Sequence, residues 1–330
     1  MADCHDLFEK FYGNVALSDG KKNNLKKARK ALRDRIRNHF KEKRKEKAPF
    51  FSGQGSFSMD TIVNPINGEY DIDDGVYLQN LDPDMSKWPS SETVHNWIYE
   101  AVDSHTDQKP QDKRTCIRVL YSREKGQDYH VDLPIYGMKD KIAYLAEKGK
   151  SSWPESDPKA FIEWFEGNIK TKGELLRRMV CYLKAWSDHN QKQAPMLNGI
   201  SLTIAAAEQL VSSQRDDQAL VETVKRISSQ IRNTKTIKKP VKPNENLLAD
   251  WGQENITKLC DRLDIFANKG EKALNTDDKE EASLLWVAQF GNRFPKYEPP
   301  DDEDENSAPP KTTVPWKEKG VSVLGGSPKG

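Results

Sequence analysis

One stretch, Gly53–Leu78, GQGSFSMDTIVNPINGEYDIDDGVYL, limits the chain more than any other. Tyr70 to Leu78 reads as a strand, whose two-residue period puts Asp71 and Asp73 on one face and Ile72 and Asp74 on the other. Two carboxylates side by side repel each other unless a cation lies between them. Just upstream, the apolar Pro49-Phe50-Phe51 leads into Gln54, Gly55 and Ser56. A turn of such small residues can aim backbone N–H groups, and the Ser56 hydroxyl, at phosphate oxygens. A further carboxylate, Asp132, sits in QDYHVDL, also a strand by its pattern, and joins the first pair if the two strands are neighbours. Mg2+ takes oxygen ligands, commonly one or two carboxylates plus substrate phosphates. Three acidic groups, a phosphate-holding turn and no thiol or histidine cluster therefore point to metal-dependent phosphoryl or nucleotidyl transfer.

Around this stretch the chain divides by periodicity. Leu7–Tyr12 carries a short apolar stripe. After a Ser18-Asp19-Gly20 cap, Leu25, Ala28, Leu32, Ile36 and Phe40 recur at helical spacing along a basic segment, 21–47. Its apolar side is expected to pack on the catalytic lobe. Arg29, Arg33 and Arg37 are expected to face outward, either as a solvated face or as a wall attracting anionic nucleotides. A helix over Ser90–Val102 precedes strands at Thr115–Tyr121 and around His130 and Asp132, joined by a turn at Gly126. Pro134-Ile135-Tyr136-Gly137 is expected to end the last strand, with Asp140–Ala146 a short helix or turn. From Asp157 onward the period is helical: Lys159–Phe165, Gly173–Asp188, Leu197–Val211, Asp217–Ile231, Ile256–Ala267 and Glu271–Phe290. The expected architecture is α+β: a catalytic lobe with a mixed sheet over 1–150, a helical lobe over 151–294, and a flexible acidic, Pro/Gly-containing tail over 295–330. The substrate cleft is expected between the lobes.

Composition narrows the class. Charged residues make up 31% of 330, the formal charge is +1 and the mean hydropathy is −0.85. No apolar run approaches the ~20 residues that cross a bilayer. The start MADCHDLFEK lacks the order of a secretion signal, so a cytoplasmic location is expected. Cys4, Cys116, Cys181 and Cys260 are scattered, which indicates neither a zinc site nor a disulfide scaffold. His130 shares the face of Asp132 and is a candidate to support the ligands from behind, but with no Cys/His cluster nearby it is not expected to bind metal itself.

GSFSMDT, then EYDIDDGVYL, then YHVDLPIY resembles the nucleotidyltransferase superfamily of polymerase beta, oligoadenylate synthases and cyclic GMP-AMP synthase. Within it, the chain looks like the bacterial cGAS/DncV-like nucleotidyltransferases, the cyclic-oligonucleotide synthases of antiphage signalling. The resemblance implies a polymerase-beta-like lobe followed by a helical one. The activity it implies is synthesis of a cyclic di- or trinucleotide from nucleoside triphosphates, ATP and GTP among them, with release of pyrophosphate. Asp71 and Asp73 would hold two Mg2+ ions, with Mn2+ an alternative, and Asp132 would share one. Gln54, Gly55 and Ser56 would hold the terminal phosphates. Lys184 matches a lysine-bearing helix that reaches the triphosphate tail. Ser201, near a helix start, would contact phosphate or ribose, or act as an N-cap, and Trp186 would pack in the core.

The same resemblance extends to the basic helix, which it implies spans both lobes, and to the tail. A free C-terminus ending in Gly330 is similar to tails conjugated to targets by a ubiquitin-like transfer enzyme. By composition the tail is expected to be disordered, with the alternative that Val321–Leu324 adds a strand where a partner offers an edge. No clustered Cys/His zinc insertion is present, so activation by DNA lacks support, and the basic helix alone is weak evidence for activation by RNA. An RNA-directed terminal or protein nucleotidylyltransferase would use the same carboxylates. An inactive RNA- or protein-binding scaffold is the remaining alternative.

Overall fold

A computed structural model describes residues 1–66, 69–122 and 128–299. The turn at Gly126 and the tail segments Val321–Leu324 and Gly330 lie outside the described residues. Met1–Tyr297 form one compact unit.

Strand β1 (Phe50–Gln54) and the four-residue helix α3 (Gly55–Ser58) follow two N-terminal helices, α1 (His5–Val15) and α2 (Asp19–His39). Next come β2 (Tyr70–Tyr77), α4 (Ser91–Val102), β3 (Gln111–Asp112), β4 (Ile117–Tyr121), β5 (Tyr129–Leu133), β6 (Ile135–Lys139) and β7 (Ile142–Leu145). Strand β2 is the hub of this mixed sheet. It pairs antiparallel with β1 along one edge and parallel with β5 and then β6 along the other. Strands β4 and β3 extend the sheet beyond β5, and β7 extends it beyond β6.

β5 ends at Leu133, just before Pro134, but residues 135–137 belong to a further strand, β6, rather than forming a strand end. A proline lacks only its N–H, and the Pro134 carbonyl accepts from the Val76 N–H at 2.8 Å, so the chain stays extended into β6. Asp140 and Lys141, with φ of 51° and 68°, then form the tight two-residue turn of a β6–β7 hairpin where a short helix or turn was expected.

One face of the sheet is apolar. Tyr70, Ile72 and Val76 of β2 join Ile117, Val119, Val131 and Leu133 under α2 and α4. Ser18 caps α2 by accepting from the Lys21 N–H, and Leu25, Ala28, Leu32 and Ile36 are its buried side. Each buried Leu or Ile there contributes about 1.5–3 kcal/mol. All four belong to the core under the sheet. The arginines differ from expectation. Arg33 turns inward: its Nε donates to Asp74 Oδ2 at 2.6 Å, its Nη2 to Oδ1, and its guanidinium lies over Phe51. Asp74 is fully buried on the face opposite Asp71 and Asp73, so an unpaired carboxylate there would be costly, and Arg33 is drawn in to meet it.

The remaining helices are α5 (Pro158–Lys172), α6 (Leu175–Asn190), α7 (Gly199–Gln209), α8 (Asp216–Thr234), α9 (Gln253–Asn275) and α10 (Lys279–Phe290), around a second core. Helix α1 joins this core rather than the sheet with which sequence grouped it. Phe8 meets Tyr182, Trp286 and Phe294 at centroid distances of 5.2, 4.9 and 4.9 Å. The break expected near residues 268–270 falls instead after Asn275, because Gly270 is a contact point inside α9. A Cβ there would overlap Val221 and come within 2.9 Å of Trp286.

Among the described residues no helix is long and apolar enough to cross a membrane. Gly270→Ala tests the packing: alanine gains about 0.5–1 kcal/mol of helix propensity, but overpacking costs about 1–3 kcal/mol. A net loss of stability is the expected outcome, read by urea denaturation.

Candidate active site

The parallel pairing of β2 with β5 assembles the acidic centre. Asp71 lies opposite His130, and Asp73 opposite Asp132. Paired residues of neighbouring strands point to the same face, so three carboxylates and an imidazole share one small patch. Strand β4 adds Arg118 opposite Asp132. Its Nε and Nη2 donate to the two Asp132 oxygens at 2.8 and 2.9 Å, a bidentate pair.

The electrostatic consequence falls on Asp73. Burial first, and then the charges of Asp71 and Asp132, push its carboxyl up to about 8, against the opposing effect of His130 and Arg118. For His130, burial acts to lower the pKa, but Asp71 and Asp132 outweigh it and hold the imidazole above its ordinary value. A folded protein that raises a carboxyl this far has crowded its negative charges beyond what its own cations neutralise. Oxygen donors crowded in this way suit a hard divalent ion, so the residues fit a metal site.

Gly55 shows why the turn after β1 must hold glycine. Its φ is +69°, and a Cβ would overlap Asp73 Oδ2 and lie 3.0 Å from Asp73 Cγ. The position therefore serves the carboxylate as well as any phosphate. Gln54, paired with Asp73 across β1 and β2, donates from Nε2 to the Tyr136 hydroxyl at 3.2 Å. Gly55 and Ser56 begin α3 rather than a free turn.

A cavity of about 620 Å³ opens over this face. Gln54, Gly55, Ser56, Asp71, Asp73 and Lys184 all line it, drawn from the sheet on one side and α6 on the other. Lys184 donates from Nζ to the Thr61 carbonyl at 3.0 Å and to its hydroxyl at 3.2 Å. Burial pulls its ammonium down, while negative charge including that of Asp71 and Asp73 opposes the shift. Asp132 is only 8% exposed, one strand behind Asp73. Trp186 is buried against Phe266 in the helical core.

Ser201 is not brought to the cavity. It is 2% exposed, and its N–H donates to Asn198 Oδ1 at 3.0 Å, which makes Asn198 the N-cap of α7. Asn198, Gly199 and Thr203 line the cavity in its place. Sequence reasoning missed Asn198, and the signal for it is an asparagine, a favoured N-cap, standing just before the helical run. Lys239, Ser187 and Asp188 also line it and were not anticipated. Asp188 accepts from the Ile66 N–H at 2.9 Å and pairs with Arg293 at 3.0 Å. Arg293 also donates to the Asn64 carbonyl at 2.9 Å, so together they hold the loop that forms one wall.

Comparison with known proteins follows the same division. Residues 49–136 match the family described as cyclic GMP-AMP synthase DncV-like, nucleotidyltransferase domain, and residues 173–299 match cyclic GMP-AMP synthase, C-terminal domain. A cyclic GMP-AMP synthase of Escherichia albertii is 27% identical over 258 residues, 74% of this chain and 55% of that protein. A namesake from Vibrio cholerae is 27% identical over 312 residues, covering 76% of this chain and 69% of the relative. The chain thus spans little more than half of the Escherichia albertii relative. Among solved structures, Vibrio cholerae DncV cyclic AMP-GMP synthase with a nonhydrolyzable GTP superposes with a TM-score of 0.74 at 22% identity. That match covers 89% of this chain and 97% of the other. The same enzyme with a linear intermediate, pppA(3',5')pG, gives a TM-score of 0.73 at 22% identity, over 87% of this chain and 97% of the other. Because its sheet and its helical part are matched separately, in the family's order and within a shared fold, the chain belongs to the bacterial cGAS/DncV-like nucleotidyltransferases.

Proposed function

We propose that this chain joins nucleoside triphosphates into a cyclic di- or trinucleotide by metal-dependent nucleotidyl transfer, releasing pyrophosphate, and that the product signals in antiphage defence. The observation that carries the reading is the register of Asp73 against Asp132, with Asp71 and Asp73 lining a nucleotide-sized cavity and Asp132 one strand behind them. The relatives' names, and the GTP and linear intermediate bound by the Vibrio cholerae enzyme, support the substrate class.

In this reading Asp71, Asp73 and Asp132 hold divalent ions, Mg2+ or Mn2+. When bound, such ions lower the pKa of an attacking ribose hydroxyl and offset charge on the transferring phosphoryl group. The hydroxyl oxygen bonds to the α-phosphorus, its proton is released, and the bond to the β-phosphate oxygen breaks with its electron pair leaving on pyrophosphate. Ser56 and the backbone beside Gly55 bind phosphate oxygens. Lys184, with Lys239 further along the wall, sets positive charge against the triphosphate. Arg118 of β4 fixes Asp132 in one orientation by holding both of its oxygens.

Incubation with all four ribonucleoside triphosphates and Mg2+ or Mn2+, read by mass spectrometry, is expected to give a phosphatase-resistant cyclic product. Asp71→Asn and Asp73→Asn are each expected to reduce it to below about one hundredth of wild type. Linear products from the wild-type protein would favour a terminal transferase instead.

Gly55→Ala is expected to cost about 1–2 kcal/mol from the positive φ alone. Because its Cβ also displaces Asp73, product should fall further than the loss of stability explains, and thermal melting beside the assay separates the two effects.

Asp73 also gives a pH signature. The unfolded chain releases this proton near 3.8 and the folded protein only near 8, so the folded state holds the extra proton in between. Its contribution to stability therefore declines as pH rises through that window. In chelator at pH 8, Asp73→Asn should melt above wild type. The difference should vanish toward pH 4 and on adding a divalent cation to the wild type.

A further inference from the structure

His130 was expected beside Asp132 but not as a metal ligand, yet its surroundings prepare it as one. The ring is 6% exposed. Its Nδ1 lies 2.8 Å from Glu69 Oε2, a carboxylate that can only accept, so Nδ1 carries the proton. With Nδ1 keeping one proton, a divalent cation that displaces the second leaves Nε2 as a lone pair, and an outer carboxylate is the usual device for orienting a metal-binding imidazole. Nε2 is buried, has no hydrogen-bond partner among the described residues, and points to Asp71 Oδ2 at 3.6 Å and Asp132 Oδ1 at 3.9 Å. Both separations exceed a hydrogen bond. Ligands about 2.1 Å from one ion lie at most about 4.2 Å apart, so both separations fit a shared cation.

We propose that His130 is a nitrogen ligand of the divalent ion held by Asp71 and Asp132, and that Glu69 is the residue that positions it. The inference rests on the metal-dependent reading above and extends it from an all-oxygen site to a mixed one. Among the described residues, Asp71, His130 and Asp132 bring one ligand atom each within 4.8 Å of one another. The bidentate pair with Arg118 does not prevent this, because a carboxylate oxygen accepts more than one partner. Strand β2 sets the arrangement, since Asp71 and His130 are register partners and Glu69 directly precedes the strand.

A mixed site has a chemical consequence. Mg2+ strongly prefers oxygen, whereas first-row ions accept imidazole, so nitrogen ligation shifts selectivity toward Mn2+. Removing the nitrogen should weaken Mn2+ binding more than Mg2+ binding, and removing Glu69, which orients the ring, should weaken Mn2+ binding by about 10–100-fold.

The test uses the full chain with Mn2+ and a non-hydrolysable ATP analogue, and reads nitrogen coupling by electron spin-echo envelope modulation. Isotopic labelling of the histidine nitrogens separates histidine from nucleotide and lysine signals. The expected result is a histidine coupling that His130→Gln removes while melting temperature is kept, and that Glu69→Gln retains at weaker Mn2+ affinity. Mn2+ binding that is abolished by Asp73→Asn but shows no histidine coupling would overturn the nitrogen ligand and leave the metal-dependent reading standing. Absence of Mn2+ binding in the wild-type protein would overturn both.

Discussion

Three carboxylates held on one face of a sheet set the terms for the rest of this molecule. Like charges at neighbouring register positions raise one another's proton affinity, and Asp73 shows it most strongly. The fold supplies partial compensation from several directions: Arg118 on Asp132, His130 between Asp71 and Asp132, and Lys184 across the cavity. None of these neutralises Asp73 fully. What remains is a site with a standing demand for cations, and stability given up there is what makes binding favourable.

The opposite face solves a related problem without any ligand. Asp74 projects into the core from the strand that must also present Asp71 and Asp73, because alternation leaves it nowhere else to go. Arg33 reaches it from α2, stacked on Phe51, and so fastens the basic helix to the catalytic strand. Part of the positive charge read as a wall for nucleotides is used inside the structure. Arg37 lies over Phe51 as well, which leaves less of the helix free for an outside anion.

The cavity exists because two cores meet along it. Helix α1 and the later helices share one core, the sheet and α2 another, and α6 carries Lys184 to the seam. Arg293, close to the end of the helical part, holds both Asp188 and the Asn64 carbonyl. The wall next to the acidic floor is therefore built by residues far apart in the chain. Positioning on this scale depends on packed helices rather than on the local turn.

Much of this was legible from residues in order. The alternation around Asp71 and Asp73, the strand holding Asp132, the glycine-serine turn and the helical faces of Leu25–Ile36 are local patterns, imposed by backbone geometry over a few residues. Their combination also carried the family. Helix limits were readable where caps such as Ser18 stood and misread at Gly270, where a close helix contact overrode the local signal, and β6 was missed after Pro134, where pairing with a neighbouring strand keeps the chain extended. Tertiary structure alone decided that Asp132 faces Asp73 rather than some other strand, that Arg33 turns inward, that α1 joins the helical core, and that Asn198 rather than Ser201 meets the cavity. It also brought Glu69 to His130 across 61 positions of sequence. Periodicity says which face of its own element a side chain occupies. Which other face it meets depends on long-range pairing, and a single sequence holds no local signal for that.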